Sequence, residues 1–175
     1  MLLYHGTTVQ RMKDIMESKC LLTNCSRFFT KDLNGMGATT QGYVYFSNEP
    51  TFALYYANSH SLVDKSEKLY LIRIDLPIEK LEPDWDEIQH QHVPEWKRVS
   101  YKDDLQCSLL DVKSCRVPFD IDFAKISIEY CVVDKSCVNI AEIIQNAGRD
   151  YKFVVENYTP AQESFLSALL WKCIV

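Results

Sequence analysis

A His–Gly pair near the start of the chain interrupts a short apolar segment, which then gives way to a helical pattern. The apolar residues Leu2–Tyr4 are typical of a buried strand, so His5 is predicted at the strand end, where the chain turns. Gly6 can adopt backbone angles that other residues avoid, and it leaves room for a ligand to approach the main chain. An imidazole beside an open backbone amide suits a flat ring that carries an amide group.

A second segment, Tyr43–Ser47, supplies an aromatic surface for such a ring. Because side chains alternate along a strand, Tyr43 and Tyr45 share one face, and Val44 and Phe46 share the other. The electron-rich face of tyrosine favours a cationic ring such as the nicotinamide of oxidised NAD. The two segments together therefore predict a site for a ring of this kind.

The residues that resemble a known family are Tyr4-His5-Gly6-Thr7, Val44-Tyr45-Phe46-Ser47, Ala53 and Tyr55-Tyr56. In this order and spacing they resemble the opening of the ADP-ribosyltransferase fold, in the branch of diphtheria toxin and the poly-ADP-ribose polymerases. The resemblance implies an α+β fold in which split, twisted antiparallel sheets and flanking helices enclose an NAD cleft. One domain is expected to span residues 1–175.

The resemblance also implies roles for individual residues in binding NAD as a co-substrate. His5 is expected to bond the ribose, and the main chain of Gly6 is expected to hold the nicotinamide amide. Tyr45 and Tyr56 are expected to sandwich the nicotinamide ring, with Tyr55 as the alternative to Tyr56. His5 and Tyr45 are thus the predicted catalytic residues.

Two further positions bear on NAD binding. Thr7, or the start of the helix that follows it, is predicted to contact a phosphate of the dinucleotide. A plain helix cap is the alternative for this threonine. Ala53 stands where many family members carry a serine that binds the nicotinamide amide, so this contact is expected to be missing.

The family's third catalytic residue is a Glu on the strand before a Pro-x-x-Ile segment, and Lys113–Val117 contains no acid. A carboxylate beside the ribose stabilises the positive charge that develops as the bond to nicotinamide breaks. The nearby alternatives are Asp111, Gln106 and Ser114. Glu129 lies on a suitable strand but is more simply an exposed acid of the sheet, and Glu163 is too far along the pattern to be favoured. A chain without the acid is expected to modify a nucleotide or amide nitrogen, or to have lost activity.

The resemblance implies a mono-ADP-ribosyltransferase that transfers ADP-ribose from NAD to a macromolecular acceptor, with RNA or DNA favoured over protein. Small chains of this kind include microbial toxins and phage-defence transferases, so an antitoxin that neutralises the protein is an expected partner. One alternative is the related RNA 2′-phosphotransferase, whose characteristic arginines are not evident. Another is a non-catalytic domain that binds NAD-like nucleotides or a protein.

Composition limits the other classes of function. The 175 residues carry a net charge of −5, which argues against broad electrostatic binding to nucleic acid. A local groove of Arg27, Lys31, Lys97 and Arg98 is the alternative.

Seven scattered cysteines without a Cys-x-x-Cys pair predict a reduced cytoplasmic protein without a metal site. No signal peptide or membrane segment is predicted, and His90 and His92 are interpreted as surface residues.

The remaining pattern predicts alternating helices and strands. Thr8 is expected to cap a helix that ends near Lys19, and Pro50 is expected to start a helix that ends near Asn58. The other predicted elements are a loop over 24–42, a half-buried strand over Lys68–Leu76, an irregular insertion or short helix over 77–104, strands over 114–117, 124–133 and 152–156, a helix over 138–147 and a capping box at Thr159–Gln162.

Overall fold

Two long strands near the middle of a seven-stranded sheet organise the fold. In the computed structural model, which describes residues 1–25, 39–136, 139–144 and 158–174, β1 (Leu2–Thr8) pairs with β4 (Lys68–Asp75) over seven residue pairs. This ladder carries β1 through His5 and Gly6 to Thr8, so the prediction that the strand ends at His5 is wrong. A continuous partner strand keeps the backbone extended where the local sequence indicates a turn.

The other strands are β2 (Cys20–Leu21), β3 (Val44–Ser47), β5 (Glu82–Pro83), β6 (Ser114–Val117), β7 (Ile121–Asp122), β8 (Ile128–Asp134) and β9 (Lys172–Cys173). The helices are α1 (Val9–Ser18), α2 (Pro50–Asp64), α3 (Trp85–His90), α4 (Glu95–Arg98), α5 (Asp104–Cys107), α6 (Ile140–Ile143) and α7 (Pro160–Ser167). A 3₁₀ turn at Ile78–Lys80 and a π-helical turn at Ser108–Val112 complete the described elements.

The strand order in the large sheet is β5-β6-β3-β1-β4-β8-β9, and β2 pairs with β7 in a separate two-stranded sheet. Every strand pair in the described residues is antiparallel. The chain is therefore a mixed helix and strand fold with an antiparallel sheet, in agreement with the α+β class predicted from the sequence.

The large sheet is almost divided between β1 and β3. These neighbouring strands share one residue pair, Tyr4 opposite Ser47, whereas β3 pairs with β6 along its whole length. Beyond Tyr4 the His5 side chain bridges the two strands, with Nδ1 2.9 Å from the Tyr45 carbonyl oxygen. The sheet thus has two halves, β5-β6-β3 and β1-β4-β8-β9, which share one backbone pair, the His5 contact and a common apolar core.

Apolar side chains cover both faces of the central strand β4. Ile72 and Ile74 pack into one core together with Leu3 and Phe46, as the predicted alternation requires. The opposite face is also buried, because Leu69 and Leu71 pack with α2 in a second core. The sequence therefore predicts the inward face correctly but misses the burial of the opposite face, which depends on the position of α2.

Helix boundaries agree with the sequence where local caps determine them. α2 begins at Pro50 as predicted, and it continues beyond the expected end at Asn58 because its buried face extends through Ser61. Thr8 occupies the N-cap position of α1 but makes no side-chain cap bond. At the start of α7, Thr159 and Gln162 form both bonds of the predicted capping box.

The segment over 77–104 contains the short helices α3 and α4, in agreement with the short-helix alternative, and it also contributes the edge strand β5, which was not predicted. The strand predicted over 124–133 begins only at Ile128, because the chain turns after Asp122, where the Lys125 N–H donates to the Asp122 carbonyl oxygen at 3.0 Å. Only the part over Ile140–Ile143 of the predicted helix over 138–147 is described as helical. The strand predicted at 152–156, and most of the loop predicted over 24–42, lie outside the described residues.

Candidate functional site

A cavity of about 440 Å³ opens where β1 and β3 separate. Its walls come from α1, β1, β3, α2 and the segment that begins α3. The lining includes Tyr4, His5, Gly6, Thr7, Arg11, Asp14, Ile15, Tyr43, Tyr45, Phe46, Ala53, Tyr55, Tyr56, Ser59, His60, Asp84, Asp86, Glu87, His90 and Ser114. All five residues predicted to bind NAD (His5, Gly6, Thr7, Tyr45 and Tyr56) therefore line one cavity.

The β1 side chains His5 and Thr7 point to the same side of the strand, because residues two apart share a face. A carbonyl oxygen only accepts hydrogen bonds, so His5 Nδ1 carries the hydrogen in its contact with Tyr45. The imidazole also meets the ring of Phe46 edge-on, with 6.0 Å between centroids. These two contacts fix the tautomer and the orientation of His5 at the cavity wall.

The absence of a side chain at Gly6 has a different cause from the one predicted. A Cβ at this position would lie 1.8 Å from the Ala53 carbonyl oxygen and 2.6 Å from its carbonyl carbon. The space that was predicted to admit a ligand is therefore occupied by the backbone of α2. Glycine is required here because the helix packs directly against β1.

Both tyrosines predicted to hold nicotinamide are anchored through their hydroxyls to α3. Tyr45 donates to Asp86 Oδ2 at 2.5 Å, and Tyr56 donates to Glu87 Oε2. Burial, together with the bond to Asp86, raises the pKa of the Tyr45 hydroxyl well above its ordinary value. Tyr45 therefore keeps its proton and lines the cavity as a neutral ring.

Neighbouring aromatic residues extend this surface. Tyr43 contacts Tyr45 edge-on at 6.3 Å, and the Arg116 guanidinium lies 3.8 Å from the centroid of the Tyr43 ring. On α2, Tyr55 and Tyr56 meet edge-on at 5.4 Å, and both line the cavity. Tyr55 and Tyr56 thus both remain candidates for the second face of the sandwich.

Three acids at the start of α3, which the sequence pattern does not single out, line the same cavity: Asp84, Asp86 and Glu87. Asp84 caps the helix by accepting from the Glu87 backbone N–H at 3.0 Å. An Asp followed three residues later by a Glu is a sequence signal for a helix start, so α3 itself was detectable. Its position beside the cavity was not detectable, because it depends on the pairing of β5 with β6.

Asp84 belongs to a buried polar network beneath the cavity. Ser114 lies with its hydroxyl 2.5 Å from Asp84 Oδ2 and 3.2 Å from the Phe46 carbonyl oxygen. Ser108 accepts from the Asp84 backbone N–H and donates to the Ser114 carbonyl oxygen. Burial raises the pKa of Asp84 to about 7. A protonated Asp84 donates to Ser114, which then donates to Phe46, so protonation satisfies the whole chain of bonds.

The residues considered for the third catalytic role lie in different surroundings in the structure. Ser114 lines the cavity, but its hydroxyl belongs to the Asp84 network. Asp111 accepts from Tyr101 and Lys97 instead, and Gln106 accepts from the Lys102 backbone N–H. Glu129 pairs with Arg73 at 2.7 Å on the half of the sheet away from β3. Glu163 is a residue of α7 and does not line the cavity.

The predicted basic groove is described only in part. Lys97 forms an ion pair with Asp111 at 2.9 Å, and the Arg98 guanidinium lies 5.4 Å from the centroid of the Trp85 ring. Arg27 and Lys31 lie outside the described residues. Within the described residues no group of three His, Cys, Asp or Glu side chains is arranged to hold a metal ion. The exposed His90 lies at the cavity wall, whereas His92 does not.

No helix in the described ranges has both the length and the apolar character needed to cross a membrane. Comparisons with protein-family models, with curated proteins and with solved structures found no match.

Proposed function

We propose that this chain is an NAD-dependent mono-ADP-ribosyltransferase that releases nicotinamide. The observation that carries the proposal is the common cavity of His5, Gly6, Thr7, Tyr45 and Tyr56, which come from three elements. These residues have the order and spacing of the family resemblance. The ADP-ribosyltransferase-like arrangement, with NAD in the gap between the two halves of the sheet, is part of this proposal.

Each residue type suits one part of oxidised NAD. The faces of Tyr45 and Tyr56 attract the cationic nicotinamide ring, and His5 offers a ring nitrogen to a ribose hydroxyl. The gap between β1 and β3 exposes strand backbone that a nicotinamide amide can pair with. A cavity of about 440 Å³ falls within the range of small-molecule sites, and its opening leaves room for an acceptor.

The acceptor is a macromolecule in this proposal. The sequence favours nucleic acid, yet Lys97 is paired with Asp111 and Arg98 lies over Trp85. The described members of the predicted basic groove are thus engaged with side chains of the chain itself, which favours a protein acceptor.

The alternatives make different predictions. An RNA 2′-phosphotransferase requires arginines to hold the phosphate, and Arg11 is the one arginine among the described lining residues. The absence of an acid on β6 favours a non-catalytic NAD-binding domain. Such a domain would bind NAD and release no nicotinamide.

The test is to incubate the protein with labelled NAD, with and without cell lysate, and to measure free nicotinamide and transferred label. We expect lysate to stimulate nicotinamide release and the label to enter macromolecules. His5→Ala should abolish both signals, whereas His92→Asn, a matched change outside the cavity, should preserve them. Asn suits the control position because His92 has a φ of 50°.

Digestion of the labelled product identifies the acceptor. Label lost with protease and retained with nuclease indicates protein, and the reverse indicates nucleic acid. NAD binding without nicotinamide release would replace the transferase proposal with the non-catalytic one.

A further inference from the structure

We propose that the ligand passes through the sheet at the gap between β1 and β3, and that Asp14 on α1 holds its second half as an unphosphorylated ribose. This inference rests on the proposed NAD-dependent function and deepens it by naming the residue that distinguishes NAD from NADP. The second half is the adenosine half of NAD, and it lies on the face of the sheet opposite Tyr45 and Tyr56.

The cavity is lined from both faces of the large sheet. His5 and Thr7 lie on the β1 face that Leu3 contributes to one apolar core, because residues two apart share a face. Tyr4 and Gly6 lie on the opposite face, which α2 covers. Residues of both faces line the cavity, and β1 and β3 share a backbone pair only at Tyr4. The gap beyond Tyr4 therefore gives one ligand access to both sides of the sheet.

The side of the cavity at α1 is suited to a sugar and a base. One face of α1, with residues three and four apart, contributes the lining residues Arg11, Asp14, Ile15 and Ser18. Leu21 of β2 and the following Leu22 add apolar surface, against which an adenine ring can pack. Polar and apolar groups thus lie side by side here, as an adenosine requires.

Asp14 differs from the other acids that line the cavity in its partners. Asp84, Asp86 and Glu87 are each hydrogen-bonded to protein groups through their carboxylates. Within the described residues the Asp14 carboxylate accepts no hydrogen bond and joins no ion pair, since Ser18 donates to its backbone carbonyl oxygen. A carboxylate can accept from the two neighbouring hydroxyls of a ribose, and dinucleotide sites on other folds use an acid in this way.

Thr7 provides a second, independent observation on the same side of the sheet. Its hydroxyl oxygen has no hydrogen-bond partner among the described residues, although Thr7 is 1% exposed and lines the cavity. Buried hydroxyls normally have a partner, so this atom indicates a polar ligand. Thr7 follows His5 on the same face of β1 and directly precedes the start of α1. A ligand that extends from the gap to Asp14 passes this hydroxyl.

The position of Asp14 has a consequence for the choice between NAD and NADP. NAD has a 2′-hydroxyl on its adenosine ribose, which can donate to the Asp14 carboxylate. NADP has a 2′-phosphate there, which offers no such hydroxyl and repels the carboxylate because both are negatively charged. Asp14 is thus a specificity-determining residue and takes no part in breaking the bond to nicotinamide.

The test is a calorimetric titration of NAD, NADP and nicotinamide mononucleotide, which lacks the adenosine half. Asp14→Asn keeps the shape of the side chain and removes its charge. Glu17→Gln is the matched control, because Glu17 is an exposed acid of α1 that does not line the cavity. Thermal unfolding of both variants checks that they are folded.

We expect the wild-type protein to bind NADP at least ~10-fold more weakly than NAD, the scale of one hydrogen bond to a charged group. Asp14→Asn should weaken NAD binding ~10-fold and bring the NAD and NADP affinities to within about threefold of each other. The affinity for nicotinamide mononucleotide should not change in Asp14→Asn. Glu17→Gln should keep all the wild-type affinities.

Three results would overturn this inference and leave the proposed NAD-dependent function intact. They are equal affinities of the wild-type protein for NAD and NADP, an unchanged NAD affinity in folded Asp14→Asn, and a loss of mononucleotide binding as large as the loss of NAD binding. The last result would mean that Asp14 supports the cavity as a whole. A wild-type protein that binds no NAD would remove the proposed function itself, and this inference with it.

Discussion

Gly6 lies where α2 crosses β1, and the carbonyl group of Ala53 occupies the space that a side chain at Gly6 would need. A backbone carbonyl within a helix cannot move aside as a flexible side chain can. The restriction of this position to glycine is therefore steric. It is a requirement of folding, whatever the Gly6 backbone contributes to ligand binding.

Gly6→Ala should destabilise the protein by about 3 kcal/mol, the upper part of the usual range for overpacking. Gly42→Ala is the matched control, because a Cβ at Gly42 meets nothing within 4 Å and only the φ of +85° opposes it. The control should cost about 1–2 kcal/mol. Chemical denaturation of both variants measures the difference, and a Gly6→Ala protein as stable as the control would contradict the packing described here.

At single positions, the sequence predicts which residues line a common cavity, but it does not always predict the physical reason for each residue type. The motif order predicts correctly that His5, Tyr45 and Tyr56 share one cavity. The reason for Gly6 was not predictable, because it depends on the distance between β1 and a helix that begins more than forty residues later. Local patterns contain no information on such a distance.

At the level of elements, α3 is the part of the fold that the sequence left least defined. Its residues Asp86 and Glu87 hold the hydroxyls of Tyr45 and Tyr56, so one short helix orients two aromatic rings from different elements. Periodicity cannot identify a helix of six residues, and its capping signal does not show what it packs against. The long strand β4 is better defined, since its alternation extends over the whole strand, whereas the sequence predicts β1 only as far as His5.

The Asp84 network predicts a dependence of stability on pH. Burial raises the pKa of Asp84 from 3.8 to about 7 in the folded protein, so the folded state binds this proton more tightly than the unfolded state does. The stabilisation is fully present below pH 4 and is lost as the pH rises towards 7, by as much as about 4 kcal/mol.

Asp84→Asn removes the titrating group while leaving an oxygen to cap α3 and an amide to donate to Ser114. Unfolding free energies measured from pH 4 to pH 7 should therefore fall less steeply for Asp84→Asn than for the wild-type protein. Parallel curves for the two proteins would mean that Asp84 does not carry a raised pKa.

In the whole molecule, the antiparallel sheet is nearly divided at the single pair Tyr4–Ser47, and the cavity lies beside this division. One apolar core spans both halves, and a second core packs α2 against the opposite face of β4. The half that contains β3 and β6 carries Tyr45 and the Asp84 network. A ligand between β1 and β3 would contact both halves at once, so its binding should stabilise the folded protein.

The central claim is that this cavity binds NAD between Tyr45 and Tyr56, and calorimetric titration with NAD tests it most directly. We predict one NAD per chain, with Tyr45→Ala and Tyr56→Ala each weakening binding by ~1–2 kcal/mol through lost stacking and cation–π attraction. The Phe variants keep the rings and should bind nearly as well as the wild-type protein. Tyr70→Ala, which removes a partly buried tyrosine packed on Tyr130 outside the cavity, should leave the affinity unchanged. No binding to the wild-type protein, or unchanged affinity in folded Tyr45→Ala and Tyr56→Ala proteins, would contradict the account.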